Sequence, residues 1–274
     1  MTLALLTRGS DYAERVLLAL AMREVAVDAI FVAQPAPRTS AKVASPSRRA
    51  TLARVLRRLG GEGVATLRED WVARLRGFAP RVEHVGRIDF APVTVALRAV
   101  KPDWLLLADS GVVSPAVLSV PSRGTLNAHP ALLPWVRGVS VIERGLERGV
   151  PAGATVHMVD AGIDTGPLVR RVLVPTTPHD TLDTLWRKAL ARSAELLAEV
   201  ATGIVRGKEP LPQPQSRRVA YCQWVDDDQR RQAAERLRRG DGHELYRTWR
   251  DFFGGEELPL EDSRLPATLR EPAA

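Results

Sequence analysis

Short apolar runs alternate with helical periodicity over the first 110 residues. Leu3–Leu6, Ala29–Ala33, Val82–Val85 and Trp104–Ala108 are four such runs. Their length and nearly continuous apolar character predict strands buried on both faces. Asp11–Arg23 places Ala13, Val16, Leu17, Leu20 and Ala21 at helical spacing, and Trp71–Phe78 and Ala91–Val100 read as further helices. Residues 34–50, rich in Pro, Ser and basic side chains, predict an exposed loop. Thr51–Leu59 reads as a basic helix stopped by Gly60 and Gly61. Further on, Gly124–Ala128, Ala154–Val159 and Leu168–Val174 read as strands. Val139–Glu147 and the long Thr181–Thr202 read as helices. The Pro-rich stretch Gly207–Gln215 puts a boundary near residue 206, and two short helical stretches and an acidic, Pro-containing tail follow. The pattern predicts an α/β fold over residues 1–206, with a mostly parallel sheet and helices on both faces. Residues 207–274 are expected to form a small, mainly helical C-terminal appendage.

Composition changes this picture little. The chain has 274 residues, 45% hydrophobic and 26% charged, which is ordinary for a globular protein. Its net charge of +7 is compatible with anionic ligands or nucleic acid, but arginines spread over solvated helix faces explain it equally simply. Cys222 is the only cysteine, which excludes an internal disulfide and a thiolate zinc site, and no metal is expected. No apolar run approaches the roughly 20 residues needed to cross a bilayer. The amino terminus lacks a basic stretch ahead of its apolar residues, so a cytoplasmic location is expected.

Chemistry concentrates in the second half. Ligands of open α/β sheets bind beyond the carboxyl ends of strands. Three loops qualify: ADSGVVSP after Trp104–Leu107, NAHPALLPWVRG after the next strand, and DAGIDTGP after Ala154–Val159. Asn127 and His129 stand two positions apart, so in extended backbone both side chains point the same way. An amide and an imidazole converging on one point can hold an oxygen that becomes negative and move a proton beside it. Asp164, in the Gly-rich loop, could orient the imidazole and stabilise the charge it gains. Taken singly, each residue reads as an ordinary turn or loop residue. Together they suit attack of an amine on a carbonyl.

The stretch N-A-H-P-A-L-L-P-W-V-R-G, followed by G-A-T-V-H-M-V-D-A-G-I-D-T-G-P-L-V, resembles the core of the 10-formyltetrahydrofolate-dependent formyltransferases. The resemblance runs from about Pro102 to Leu185. It implies a Rossmann-like fold, 10-formyltetrahydrofolate as co-substrate, and Asn127, His129 and Asp164 as the catalytic triad. It also implies that Ser110, Gly111, Val112, Val113 and Ser114 form the loop whose backbone binds the pterin. Ala161, Gly162 and Ile163 would line the opposite wall. Val112 and Val113 stand where the family usually has the larger pair Ile-Leu.

The family's hydrolase carries an extra N-terminal regulatory domain and its tRNA enzyme a C-terminal barrel. Neither is expected here. The expected acceptor is a primary amine of a small molecule, sugar-linked or from specialised metabolism. A tRNA-directed enzyme and a catalytically silent folate-binding protein of the same fold are the alternatives. Arg137 is a candidate acceptor contact or a brace for its loop. Gly9 and Ser10 open a helix, where an anion could sit or Ser10 could simply cap. His157 is expected behind the site or in the core, and His179-Asp180 at a helix cap. Trp224, Trp249, Phe252 and Phe253 are expected in packing or in a homodimer contact through the C-terminal segment. Arg230–Arg239 reads as a solvated helix face.

Overall fold

The computed structural model describes residues 1–34, 67–87, 91–215 and 219–261. The expected loop from residue 35 to 50, the basic helix at 51–59 with its Gly60-Gly61 stop, and the acidic tail beyond 261 lie outside the described residues. One eight-stranded sheet runs through the molecule in the order β3-β2-β1-β4-β5-β6-β7-β8. Its strands are β1 (Leu3–Thr7), β2 (Ala29–Gln34), β3 (Arg81–Arg87), β4 (Trp104–Ala108), β5 (Gly124–His129), β6 (Gly153–Met158), β7 (Leu168–Leu173) and β8 (Glu257–Leu258). The first five are parallel, whereas β5–β6, β6–β7 and β7–β8 pair antiparallel. The helices are α1 (Asp11–Ala21), α2 (Leu67–Leu75), α3 (Ala91–Val100), α4 (Pro115–Leu118), α5 (Val141–Arg148), α6 (Leu182–Val205), α7 (Asp227–Arg238) and α8 (Asp241–Phe253).

Strand alternation divides the parallel half into two apolar layers. Leu3, Leu5, Ile30, Val32, Trp104 and Leu106 face α1 and α6. Ala4, Leu6, Phe31, Leu105 and Leu107 face the other way, onto Val93 and Leu97 of α3 and Val117 of α4. Leu126 and Ala128 of β5 continue the first layer. On the opposite face of the same strand stand Asn127 and His129, so the second face turns polar there.

A third core joins Leu132, Trp135, Val136, Ile142 and Leu146 to Leu185, Cys222, Leu237, Tyr246 and Trp249. Trp249 is fully buried and meets the Trp135 ring edge-on at 5.2 Å. Trp224 and Phe252 are exposed. The arginines of α7 are paired: Arg230 with Glu143 and Asp183, Arg231 with Asp228, and Arg236 with Asp241. No helix among the described residues is long and apolar enough to cross a membrane.

Candidate active site

The register of β5 on β6 builds the centre. Asn127 lies opposite His157, and His129 opposite Thr155, so all four side chains share the polar face. DAGIDTGP does follow the carboxyl end of its strand, β6, but that end does not lie with the carboxyl ends of the parallel strands. Because β6 runs antiparallel to β5, its loop leaves beside the amino end of β5, where the Val159 N–H donates to the Thr125 carbonyl. The loop then returns over the sheet face and brings Asp164 to the histidines. Asp164 Oδ2 lies 3.6 Å from His129 Nδ1, and Oδ1 lies 3.8 Å from His157 Nε2. The N–H of Gly138 donates to Asp164 Oδ2 at 3.2 Å.

Hydrogen-bond partners fix the imidazoles. His129 Nε2 lies 3.1 Å from the Val136 carbonyl, which can only accept, so Nε2 carries a proton. Nδ1 is then the nitrogen that gains or gives a proton, and it is the one facing Asp164. His157 Nδ1 lies 2.7 Å from the Met158 carbonyl and donates to it by the same argument. Its Nε2 is therefore an acceptor and takes a hydrogen bond from Asn127 Nδ2 at 3.2 Å. Burial pushes the His157 imidazole below its ordinary range, with the Asp164 carboxylate pulling the other way. A neutral His157 thus orients the Asn127 amide and leaves that amide's second N–H for a ligand oxygen. The sequence left His157 open between a place behind Asn127 and His129 and a place in the core; it is buried, and its hydrogen bond to Asn127 comes from cross-strand register.

The turns flanking this centre depend on their glycines at two points. Gly138 has φ +108°, and a Cβ there would stand 2.6 Å from the Cys222 carbonyl oxygen. A Cβ on Gly166 would stand 2.0 Å from the Met158 carbonyl oxygen. Asp164 itself has φ +55°, a left-handed conformation that Asp tolerates better than most residues. Asp160 braces the loop from within, accepting from Gly162 N at 3.0 Å and Thr165 Oγ1 at 2.6 Å.

The other predicted residues divide by environment. Ser110 is buried, and its hydroxyl donates to the Gly111 carbonyl at 3.1 Å. Val112 is 70% exposed, whereas Val113 packs into the core against α3 and α4. Only Val112 of that pair therefore offers an exposed side chain. Ser114 precedes α4 as its cap residue without a side-chain capping bond. Ala161, Gly162 and Ile163 are exposed along the Asp164 loop. Arg137 Nη1 donates to the Val219 carbonyl at 3.1 Å, so it braces the C-terminal segment. At the first turn, Ser10 Oγ accepts from Ala13 N and caps α1, while the Gly9 N–H donates to Thr7 Oγ1. The Trp71 side chain lies over Gly9, 3.0 Å from where a Cβ would stand.

A family described as "Formyl transferase" matches residues 72–201. The methionyl-tRNA formyltransferase of Xylella fastidiosa (strain M23) is 38% identical over 122 residues, which are 43% of this chain and 39% of that protein. The chain therefore spans well under half the length of such curated relatives. Among solved structures, a phosphoribosylglycinamide formyltransferase from Streptococcus pneumoniae TIGR4 shares the fold. Its TM-score is 0.51 at 23% identity, covering 74% of this chain and 98% of that one. A 4-N formyltransferase from Francisella tularensis gives a TM-score of 0.54 at 15% identity, covering 86% of this chain and 87% of that one. Residues 72–201 are thus similar to the formyl transferase family, and the solved structures share the fold.

Proposed function

We propose that this protein transfers a formyl group from 10-formyltetrahydrofolate to the primary amine of a small molecule. The observation that carries the reading is the convergence of Asn127, His129 and Asp164 on one polar face. In the proposed reaction the amine nitrogen attacks the formyl carbon and forms the new N–C bond. The bond from that carbon to N10 of the folate breaks. The free N–H of Asn127 and a protonated His129 Nδ1 hold the oxygen as it gains charge. The proton lost by the amine ends on N10, and Asp164 stabilises the imidazolium meanwhile. The Ser110–Ser114 turn and the exposed Ala161–Ile163 segment are the groups we assign to the pterin. Arg137, beside Gly138, is the side chain we assign to the acceptor's oxygen-rich part.

The test is release of tetrahydrofolate when the protein is offered 10-formyltetrahydrofolate with a pool of small amines, sugar-linked amines included. Turnover that requires both supports the reading. Tight folate binding with persistent silence would instead indicate a binding protein. The identity to methionyl-tRNA formyltransferases favours a second reading, a tRNA acceptor. It predicts tRNA retention whose logarithm falls steeply with the logarithm of salt.

A further inference from the structure

We infer that Gln215, in the C-terminal connector outside the matched residues 72–201, is a positioning residue for the Asp164 carboxylate. The inference rests on the formyl-transfer reading for its kinetic consequence, but not for its geometry. Gln215 Nε2 donates to the backbone carbonyls of Asp164 at 3.0 Å and of Gly166 at 2.8 Å. Both protons of that amide nitrogen are thus committed to the loop that carries the carboxylate.

That loop needs an external hold. Residues 160–163 are exposed, and Asp164 sits in a left-handed backbone conformation that disfavours a non-glycine residue by about 1–2 kcal/mol. Such a residue persists when its surroundings over-determine it. Asp160 ties the loop only to itself. Gln215 is what fastens the backbone on either side of Thr165 to a different segment.

The connector is built to be rigid at this point. Pro212 and Pro214 fix their own φ angles and push the residues before them toward extended backbone. Between them Gln213 exchanges two backbone hydrogen bonds with Leu168 at the start of β7, at 2.7 and 2.8 Å. Further along, Cys222 makes two more with Arg137 and Val139, at 2.7 and 3.1 Å, which frame the Gly138 N–H that donates to Asp164 Oδ2. One connector therefore grips the Asp164 loop by its backbone and the opposing loop beside Gly138. The carboxylate is held between them.

The test compares Gln215→Met, which keeps length and loses the donors, with Gln215→Glu, which sets a carboxylate against two carbonyls. Formyl transfer should show kcat lowered by up to about 10²-fold, as expected for a reacting group displaced by around an ångström, with KM for folate and amine nearly unchanged. The Glu variant should be the slower of the two. In an Asp164→Asn background, Gln215→Met should cost less than about twofold more, because the two act through one group. Losses that multiply independently, or wild-type kcat in Gln215→Met, would overturn the inference. A readout without activity is the NMR amide resonance of Gly138. Gln215→Met should move it in the direction that Asp164→Asn does, and an unmoved resonance refutes the inference. If the wild type transfers no formyl group to any amine, the functional reading fails while this resonance still decides the role of Gln215.

Discussion

The parallel strands β1, β2 and β4 and the antiparallel pair formed by β5 with β6 use the same backbone for different ends. In the first group, alternate side chains enter two apolar layers, and both faces of the sheet are covered by helices. In the second, one face still packs on α6 through Leu126, Ala128, Ala154 and Val156. The other face presents Asn127, His129, Thr155 and His157, covered by loops and the C-terminal connector rather than by an apolar helix. The first arrangement maximises burial. The second gives up apolar burial on one face to hold a set of polar groups that are satisfied by one another and by backbone carbonyls. Substitutions in the two regions should therefore separate stability from chemistry.

The largest stability effect is expected from Leu106→Ala in β4. Leu106 is fully buried, and truncating such a leucine typically costs about 2–5 kcal/mol. The variant should unfold at much lower urea, while the folded fraction keeps its rate of formyl transfer. A slowed rate at full folding would show that the parallel half also shapes the chemistry. The converse is His129→Ala in β5. In the proposed reaction it removes a donor to the formyl oxygen and the nitrogen assigned to proton transfer, and loss of one such donor typically lowers turnover about 10²–10³-fold. Folate affinity should change little, because the groups assigned to the pterin belong to other loops. Near wild-type turnover would remove His129 from the centre.

How much of this was legible in the sequence follows the same division. Trp104–Ala108 and Ala91–Val100 match their predicted bounds because continuous apolar runs and helical spacing are local signals. The direction of β6 was not legible, since strand direction depends on pairing rather than on side-chain pattern. The two-residue β8 and the four-residue α4 are too short to carry a period. Asn127, His129 and Asp164 were found by type, spacing and resemblance, and the structure brings their side chains together. Gln215 gave no such signal. A glutamine that follows a Pro-Gln-Pro stretch reads as linker until its amide is seen against two carbonyls. Trp249 and Trp224 were indistinguishable by type, yet one is fully buried and the other exposed. Helical spacing on α8 places Trp249 on the buried side with Tyr246, three residues before it.

A smaller effect distinguishes the two faces by pH. His157 is kept neutral because burial lowers its affinity for a proton, against the pull of Asp164. In the unfolded chain it returns to about 6.5. The unfolded state then binds the proton more readily, so the contribution is fully present above about pH 6.5 and declines as pH falls below it. His157→Gln keeps an acceptor for Asn127 but cannot titrate. The urea midpoint of the wild type should fall faster than that of this variant on going from about pH 7 to pH 5. Parallel curves would mean that His157 gains its proton without cost to the fold.

The smallest effect concerns Thr125, on β5 and on the same face as Asn127. It is 2% exposed, and among the described residues its Oγ1 has no hydrogen-bond partner. A buried hydroxyl left in that state is a burden of about 1–3 kcal/mol, which removal of the polar atom relieves. Thr125→Val preserves the branched shape and β-strand preference while deleting that atom. The variant should be more stable by on the order of 1 kcal/mol, raising Tm by about 2–4 °C for a chain of this size. Melting curves with and without tetrahydrofolate then divide two explanations. If folate raises Tm equally in both proteins, the hydroxyl is only a stability defect on the polar face. If the variant is more stable alone yet gains less from folate, the face keeps its unsatisfied oxygen for a ligand, as polar positions retained against stability often are. A variant less stable than the wild type would show that the hydroxyl is satisfied in solution, and that the polar face is as fully bonded at Thr125 as it is at His157.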